Sequence, residues 1–442
     1  MVEKRISNAI LNMIRARRAA SDALEGNLSA SSSAVVRPAK LREARFSDFK
    51  AVNELKCRWG LSPDSLENWE RLWRWNPALA HMPFERPIGW VLEAEGRVVG
   101  YLGNISLRYR YGSTTLTAVA GSSLAVEPPY RVASFSLNAA FYRQESVDLF
   151  LTTTAIEAVG KIARAFKCDP LPQSDYDTVL FWVLRPYAFS QGLMKKLRLG
   201  GVPSRVGGAL AAVAFAADQA IRRPSPKISP TGLVVKEIGV NEIGNDFEAL
   251  WAQKLNETPR LIADRSPESL RWHFDVPGDK GSARVLCCYD RQELLGYAVM
   301  RSDLTPDALR TSLVADMLAR QDSPAVLRAL WVAAYDHAKR MESDLLEVQG
   351  FPSGIRPIFC ESRPYQRKLP ACPFFYKATD RALHETLSDG GRWYASPFDG
   401  DTTLIRPSYS SSTILAEGSR AKNEDVGSDA PAVHEKQRSE VA

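Results

Sequence analysis

The stretch Val119–Phe141, VAGSSLAVEPPYRVASFSLNAAF, combines three local signals that decide the fold. It opens with small and β-branched residues typical of a strand and turns at Pro128-Pro129. It then continues with apolar residues at helical spacing: Phe135, Leu137, Ala140 and Phe141. A strand that breaks at prolines and leads into a helix leaves the first N–H groups of that helix without intrahelical partners. With the helix dipole and the Arg131 side chain beside them, these groups predict a phosphate-binding site.

The segment Arg131–Ser136, RVASFS, resembles the loop with which GNAT N-acyltransferases bind the pyrophosphate of acyl-CoA. The family pattern is Arg/Gln-x-x-Gly-x-Gly/Ala, and here Ser134 and Ser136 stand at both expected glycines. Glycine is used there because a backbone without Cβ can approach a ligand closely. Serine is small enough to allow a similar approach, and Ser134 can also cap the helix. The alternative is an ordinary proline turn capped by serine.

The resemblance implies that acetyl-CoA, or another acyl-CoA, is the donor substrate. The thioester would lie beside splayed fourth and fifth strands, where a backbone N–H near Leu124–Val126 polarises the carbonyl. Thr154 lies where the family often has an asparagine that contacts the pantetheine. The predicted acyl-CoA-binding residues are Leu124, Ala125, Val126, Arg131, Val132, Ala133, Ser134, Phe135, Ser136 and Thr154.

The same resemblance implies direct attack of an amine on the thioester, which needs a group to accept the amine's proton. Glu127 lies at the end of the strand and is the candidate for that role, although it is nearer to the pyrophosphate than to the reacting carbon. Tyr142 and Tyr176 are candidates for the acid that protonates the leaving thiolate. These three residues are the predicted catalytic groups.

Two other patterns bear on metal chemistry. Asp399-Gly400-Asp401 resembles the DxD motif of metal-dependent glycosyltransferases, but an Asp-Gly turn is the simpler interpretation. The histidines show no metal-ligand spacing, so no metal is predicted. They are His81, His273, His337, His384 and His434.

Two matched segments in the halves of the chain indicate a duplication. GRVVGYLGNIS (Gly96–Ser106) aligns with QELLGYAVMRS (Gln292–Ser302), and both carry Gly-Tyr after a pair of aliphatic residues. Upstream, ERLWRWNP (Glu70–Pro77) has a counterpart in ESLRWHFDVP (Glu268–Pro277). Where the second half should repeat the phosphate loop, it reads ADMLARQDSPAVL, which contains no comparable site.

The predicted fold is therefore α/β (α+β): two tandem GNAT-like lobes, each a mixed β-sheet flanked by helices. The first lobe covers residues 41–186 and closes with a strand over Thr178–Leu184. Residues 187–230 form a linker with an apolar helix, and the second, degenerate lobe covers residues 231–407. Residues 1–40 form a basic or disordered tail, and residues 408–442 have the composition of a disordered tail.

Composition restricts the partners. The chain has 442 residues with 57 basic and 51 acidic side chains, and this excess is too small to indicate nucleic acid binding. The six cysteines show no CxxC spacing, which favours reduced thiols and a cytoplasmic location.

The apolar run Ala209–Ala217 has basic residues on both sides. It is either a linker helix docked between the lobes or a helix that contacts an anionic membrane surface.

The sequence thus predicts an N-acyltransferase that transfers an acetyl group from acetyl-CoA to a primary amine. The acceptor would be a small molecule such as an amino sugar or an envelope precursor, a choice that follows the habit of the family. The alternative is a non-catalytic GNAT-like binding or scaffold protein, in one version located at the membrane surface.

Overall fold

The structure is a computed structural model that describes residues 38–81, 85–196, 202–222, 225–226, 232–276, 282–304 and 309–405. Of the tail predicted at residues 1–40, residues 1–37 lie outside the described residues, and its end is corrected by strand β1, which begins at Lys40. The predicted C-terminal tail at residues 408–442, with His434, also lies outside the described residues.

Helices flank two β-sheets. The α-helices are α1 (Phe49–Arg58), α2 (Leu66–Trp73), α3 (Ser134–Tyr142), α4 (Glu157–Ala165), α5 (Pro186–Lys196), α6 (Val202–Arg222), α7 (Asn245–Leu255), α8 (Pro267–Phe274), α9 (Pro324–Arg340), α10 (Arg356–Cys360) and α11 (Arg381–Leu387). Short 3₁₀ helices lie at Phe46–Asp48, Pro77–His81, Pro128–Ala133, Val240–Glu242, Arg320–Asp322 and Gly390–Arg392.

The strands form two mixed sheets. They are β1 (Lys40–Glu43), β2 (Gly89–Ala94), β3 (Arg97–Tyr111), β4 (Thr114–Val126), β5 (Leu149–Thr152), β6 (Asp169–Pro170), β7 (Thr178–Val183), β8 (Val234–Ile238), β9 (Leu261–Ala263), β10 (Ala283–Asp290), β11 (Glu293–Leu304), β12 (Arg310–Ala319), β13 (Leu345–Val348), β14 (Tyr365–Lys368) and β15 (Phe375–Ala378). The first sheet has the order β1-β2-β3-β4-β5-β15-β6, with β9 paired to β3. The second has the order β14-β7-β13-β12-β11-β10-β8. The prediction of two tandem lobes, each a mixed sheet flanked by helices, is confirmed.

The two lobes repeat the same hairpin with the same irregularity. In the first, the β2–β3 register shifts so that Leu92 pairs with Gly100 while Glu93 pairs with Val98. In the second, the β10–β11 register shifts in the same way: Cys288 pairs with Gly296 while Tyr289 pairs with Leu294. A bulge at the same position of two hairpins is a specific feature rather than a general property of sheets. It supports the duplication predicted from the two Gly-Tyr segments.

One predicted strand is present but belongs to the other sheet. The strand over Thr178–Leu184 forms as β7, yet it pairs with β13 and β14 of the second sheet instead of closing the first. Its place in the first sheet is taken by β15, which pairs with β5 and β6. The sequence TVLFWV is apolar on both faces, so either sheet can bury it, and the pattern alone does not select between them.

The last described segment of the chain passes through the centre of the molecule. Residues 393–401 are all buried, and Trp393 and Tyr394 join side chains from both lobes in one hydrophobic cluster. Buried backbone needs partners, and this segment has them: Tyr394 N–H donates to Leu261 O, and Phe351 N–H donates to Ala395 O. The segment therefore brings its own side chains to the β4–β5 edge of the first sheet.

Candidate active site

A bulge bends β4 at the place where acyl-CoA contacts were predicted. Tyr101 of β3 pairs with Ala125, and Gly103 pairs with Ser122, so two residues of β4 lie opposite Leu102. They are Ser123, which has a φ of +56°, and Leu124. A bulge redirects the backbone groups on one side of a strand. Here it redirects the backbone at the start of the predicted contact Leu124–Val126.

Beyond this bulge, β4 and β5 diverge. The two strands are parallel and pair only over Ala118–Ala120 with Leu149–Leu151. In the part of the chain that the structure describes, no strand continues beside β4 on the β5 side after Ala120. The result is a wedge-shaped opening between β4 and β5, called the β4–β5 wedge below. The splayed strands implied by the GNAT resemblance are therefore present.

A carboxylate from the far end of the chain lies in this wedge. Thr153 Oγ1 donates to Asp401 Oδ1 at 2.6 Å, and the Asp401 N–H donates back to Thr153 Oγ1 at 3.0 Å. Thr154 Oγ1 is 3.3 Å from the same carboxylate, and Ser122 of β4 helps to lower its pKa. Gly400 has a φ of +71°, and a Cβ at this residue would overlap the Thr153 side chain. The turn thus requires glycine at residue 400 to place Asp401.

Burial raises the pKa of the Asp401 carboxyl group to about 6. The hydrogen bonds from Thr153 and Thr154 offset part of that rise. A carboxylate whose pKa lies near the working pH can accept a proton from a neighbouring group. Asp401 itself is fully buried in this structure.

The predicted phosphate loop is helical in this structure. Arg131, Val132 and Ala133 lie in the 3₁₀ helix that follows the prolines, whose N–H groups bond within the helix. The Tyr130 N–H, for example, donates to Glu127 O at 2.9 Å. This helix runs directly into α3. These backbone hydrogen bonds must break before the N–H groups of Arg131–Ala133 can bind a diphosphate.

The first turn of α3 contains the other three predicted loop residues: Ser134, Phe135 and Ser136. The expected cap from Ser134 is not formed, because this residue lies inside the helix and its N–H donates to Arg131 O. The Ser136 hydroxyl instead donates to Ala133 O at 2.6 Å. Phe135 and Val132 remain exposed on this face. The helix start is therefore built without a side-chain cap.

Arginines surround the same helix start. The Arg131 guanidinium lies 5.7 Å from the centre of the Trp59 ring. Arg97 and Arg58 both contact the Glu127 carboxylate, at 2.6 Å and 3.1 Å. Through the hydrogen bond with Arg97 above all, these contacts hold the pKa of Glu127 below its usual value. Glu127 is therefore a weak base, and its visible role is to hold two arginines beside α3.

The two predicted acids lie in separate hydrophobic surroundings. Tyr142 stacks on Phe166 and lies 3.5 Å from the Thr152 hydroxyl. Tyr176 is buried between the lobes, where its hydroxyl donates to Ser396 O at 3.2 Å. Burial raises the pKa of both phenols. The structure thus keeps Glu127, Tyr142 and Tyr176 in three different environments, and their catalytic roles remain predictions.

The second lobe contains a corresponding wedge with different chemistry. Its strands β12 and β13 pair in parallel only over Thr311–Leu313 with Leu345–Glu347, and β12 bulges at Ala315. The next residue, Asp316, accepts hydrogen bonds from Arg265 Nε at 2.9 Å and Nη2 at 3.1 Å. Burial alone would lower the pKa of Arg265, yet Asp316 and Asp399 raise it above its usual value. The second wedge therefore holds a closed ion pair.

In the second lobe, an aspartate lies just before the start of α9. Asp322, in the 3₁₀ helix before α9, accepts from Lys254 at 2.6 Å and from Arg260 at 2.8 Å. Burial raises the pKa of Asp322, but the two cations hold it below its usual value overall. A charged carboxylate at this position repels a phosphate. The absence of a phosphate site predicted from ADMLARQDSPAVL is consistent with this arrangement.

Sequence reasoning did not assign Asp401 to the site. The DGD motif was interpreted as a turn, and the positive φ of Gly400 shows that a turn is present. Turns of this composition usually lie at the surface, whereas this one is buried. The available signal was the apolar segment just upstream, WYASPF at Trp393–Phe398, which is unusual beside an exposed turn.

Each lobe is a mixed sheet flanked by helices, with a bulged strand beside a short parallel pair. Neither a scan of protein-family models nor a search of curated proteins found a match to the chain. A search of solved structures found a GCN5-related N-acetyltransferase from Anabaena variabilis at 12% identity, covering 78% of this chain and 73% of that one, with a TM-score of 0.49.

Two further solved structures resemble the chain to a similar degree. A GCN5-related N-acetyltransferase from Kribbella flavida has 13% identity, coverage of 79% and 73%, and a TM-score of 0.48. Saccharomyces cerevisiae N-myristoyltransferase, solved with bound myristoyl-CoA, has 12% identity, coverage of 79% and 81%, and a TM-score of 0.46.

Proposed function

We propose that this protein is an acyl-CoA-dependent N-acyltransferase whose reaction takes place in the β4–β5 wedge. The observation that supports this most directly is the buried carboxylate of Asp401, which lies beside the bulge of β4 with a pKa of about 6. A buried, titratable group in an opening between strands is a typical sign of a reactive site. The first lobe has this combination, while the second neutralises its carboxylate with Arg265.

The donor would enter the wedge with its thioester beside β4. Within the described residues, the backbone of β4 past Ala120 faces no strand on the β5 side, and an N–H group near Leu124–Val126 would polarise the thioester carbonyl there. Thr154 would then lie beside the pantetheine. The diphosphate would extend toward α3, where Arg131 supplies positive charge once the 3₁₀ helix opens.

Asp401 would carry the proton in this reaction. An ammonium acceptor first loses a proton to the carboxylate, directly or through water. The amine nitrogen then attacks the thioester carbon, and the β4 amide stabilises the oxyanion. The tetrahedral intermediate collapses with cleavage of the C–S bond. Its nitrogen loses a second proton, which the leaving CoA thiolate takes up directly or through water, so that an amide and the CoA thiol form. Asp401 releases the first proton to solvent and returns to its carboxylate state.

We infer that the acceptor is a primary amine on a small molecule, such as an amino sugar or an envelope precursor. A cavity of about 20 Å³ borders Gly400 and is lined in part by Leu107, Trp272 and His273. This space is sufficient for about one water molecule. Acetyl-CoA is the first donor to test. We also propose a cytoplasmic location for the protein.

A second candidate function is a non-catalytic binding or scaffold protein. The observation that favours it is the helical state of Pro128–Ala133, in which the N–H groups expected to hold a diphosphate bond within the helix. Serines at both glycine positions also restrict how closely a phosphate can approach. Under this interpretation, the wedge and Asp401 would be remnants of an earlier activity.

Calorimetric titration with acetyl-CoA separates the two candidates. The enzyme predicts saturable binding that Arg131→Ala weakens by about tenfold or more, because a charge-assisted contact to the diphosphate is lost. Arg320→Ala is the matched control, since Arg320 occupies the corresponding helix start of the second lobe and bonds Glu293. Absence of binding by the unmodified protein would favour the scaffold. Equal weakening by both variants would show that the proposed diphosphate site is wrong.

A further inference from the structure

One helix of the linker is apolar on two opposite faces. On its inner face, α6 places Phe215 against Phe189 of α5 at 5.2 Å and against Tyr365 of β14 at 5.8 Å between ring centres. On its outer face, Leu210 and Val213 are each 68% exposed, and Ile221 is 80% exposed. The inner contacts are sufficient to fix the helix to the second sheet. The outer apolar residues are therefore not needed to attach it.

The exposed residues form a continuous stripe. Leu210, Val213, Ala217 and Ile221 follow one another at intervals of three or four residues, and Ala209 and Ala216 are also exposed beside them. Residues at these intervals lie on one side of a helix. The run Ala209–Ala217 contains no charged residue. An exposed apolar stripe of this length is typical of a surface that binds another phase or molecule.

The charge of the sequence that contains α6 indicates the kind of partner. Between residues 195 and 223, the only acidic residue is Asp218, and its carboxylate accepts a hydrogen bond from the Tyr365 hydroxyl at 2.7 Å. The Asp218 carboxylate therefore faces β14 of the second sheet. The basic residues of the same segment are Lys195, Lys196, Arg198, Arg205, Arg222 and Arg223.

We propose that the α6 stripe docks this protein on the surface of an anionic phospholipid bilayer. Apolar side chains on one face with lysines and arginines around them are the features that hold a helix in the interfacial region of a membrane. Each basic residue near an anionic leaflet adds further attraction that salt screens. Within the described residues, no helix is long and apolar enough to cross a membrane. This inference does not depend on the proposed acyl transfer.

Vesicle flotation of the full chain tests the proposal. We expect binding to vesicles of phosphatidylcholine with phosphatidylglycerol, weaker binding in high salt, and little binding to phosphatidylcholine alone. The double variant Leu210→Glu/Val213→Glu should reduce binding by about tenfold or more, since it removes two apolar anchors and adds negative charge. Both residues are exposed, so circular dichroism and thermal unfolding should match the unmodified protein.

The matched control is Val234→Glu/Leu304→Glu, which adds the same charge at exposed apolar residues on β8 and β11. It should retain binding to the anionic vesicles. Equal loss in both double variants, equal binding to neutral vesicles, or no binding by the unmodified protein would overturn the proposal. So would a concentration-dependent dimer that the α6 variant abolishes while vesicle binding is absent, because the stripe would then face a second copy of the chain.

Discussion

The two lobes contain the same wedge, but they treat a buried carboxylate in opposite ways. In the second lobe, Asp316 accepts two hydrogen bonds from Arg265, and the Tyr297 hydroxyl donates a third at 2.9 Å. In the first lobe, Asp401 receives its hydrogen bonds from hydroxyl groups and its own turn, with Thr153 and Thr154 as the main donors.

One architecture thus holds two kinds of buried carboxylate. The oxygens of Asp316 are occupied by hydrogen bonds from a buried guanidinium. Asp401 is held by neutral hydroxyls, and burial raises its pKa to about 6. The duplication therefore leaves one copy with a poised group and one copy with a neutralised group. We expect substitutions to separate the two lobes, with the largest effect at Asp401 and the smallest at the glycines of the repeated Gly-Tyr pairs.

The largest effect should come from Asp401→Asn. If Asp401 is the general base, this change should lower kcat/KM for acyl transfer by about 10²- to 10⁴-fold. The amide keeps an oxygen that can accept from Thr153, so the fold should be retained. Steady-state release of CoA thiol measures the rate.

Asp316→Asn is the matched change in the second lobe. It should leave the activity of the folded protein close to that of the unmodified chain, because Asp316 lies in the closed ion pair. Unchanged turnover by the Asp401 variant would remove Asp401 from the mechanism.

The next effect concerns stability. Arg265→Met leaves Asp316 buried without its cation, and breaking a buried pair in this way costs about 3–5 kcal/mol. Adding Asp316→Asn to this variant should recover part of the loss, since the uncompensated charge is removed. Urea unfolding of the two variants measures both steps. If Arg265→Met unfolds at the same urea concentration as the unmodified protein, the pair does not have the structural role assigned to it.

A third effect follows from the pKa of Asp401. Folding raises this pKa from 3.8 to about 6, so the folded state holds the proton more tightly than the unfolded state. The favourable contribution is fully present below pH 3.8 and is lost as the pH rises through 6. Two pKa units correspond to about 3 kcal/mol.

Unfolding free energies of Asp401→Asn and the unmodified chain across this range isolate the effect. The variant should gain in relative stability between pH 4 and 6, by up to about 3 kcal/mol. Acyl transfer should change in the opposite direction and rise through a pH of about 6, because the same ionisation creates the base. A constant difference between the two proteins would mean that Asp401 does not titrate in this range.

The smallest effect compares the glycines of the repeated Gly-Tyr pairs. A Cβ at Gly296 would lie 2.6 Å from the backbone oxygen of Leu318, which cannot move freely. A Cβ at Gly100 would first meet the Leu92 side chain at 2.7 Å, which has more freedom to shift. Gly296→Ala should therefore lower the unfolding free energy more than Gly100→Ala, within the range of about 1–3 kcal/mol. Thermal unfolding of the two variants gives the order, and the reverse order would contradict it.

The sequence was a good guide to local structure. The strand and the helix predicted within Val119–Phe141 are present as β4 and α3, and the strand predicted over Thr178–Leu184 forms as β7. Local signals were sufficient there because caps, helical spacing and turn residues act over a few residues.

The sequence was a poor guide to features that depend on distant parts of the chain. Nothing local shows that β7 pairs in the second sheet or that β15 completes the first. Asp401 lies 248 residues from its closest partner, Thr153. The helical bonding of Pro128–Ala133 was also missed, because a proline pair is equally compatible with an open turn and with the first turn of a helix.

The exchange of β7 and β15 ties the two lobes together topologically. Each sheet needs a strand from the other half of the chain, so a fragment ending in the linker would expose an unpaired edge beside β5 or β13. The halves should therefore be stable as a complementing pair rather than as separate proteins. This reciprocal dependence also gives a physical reason why the second lobe would persist even without a reaction of its own: its loss would leave the first sheet incomplete.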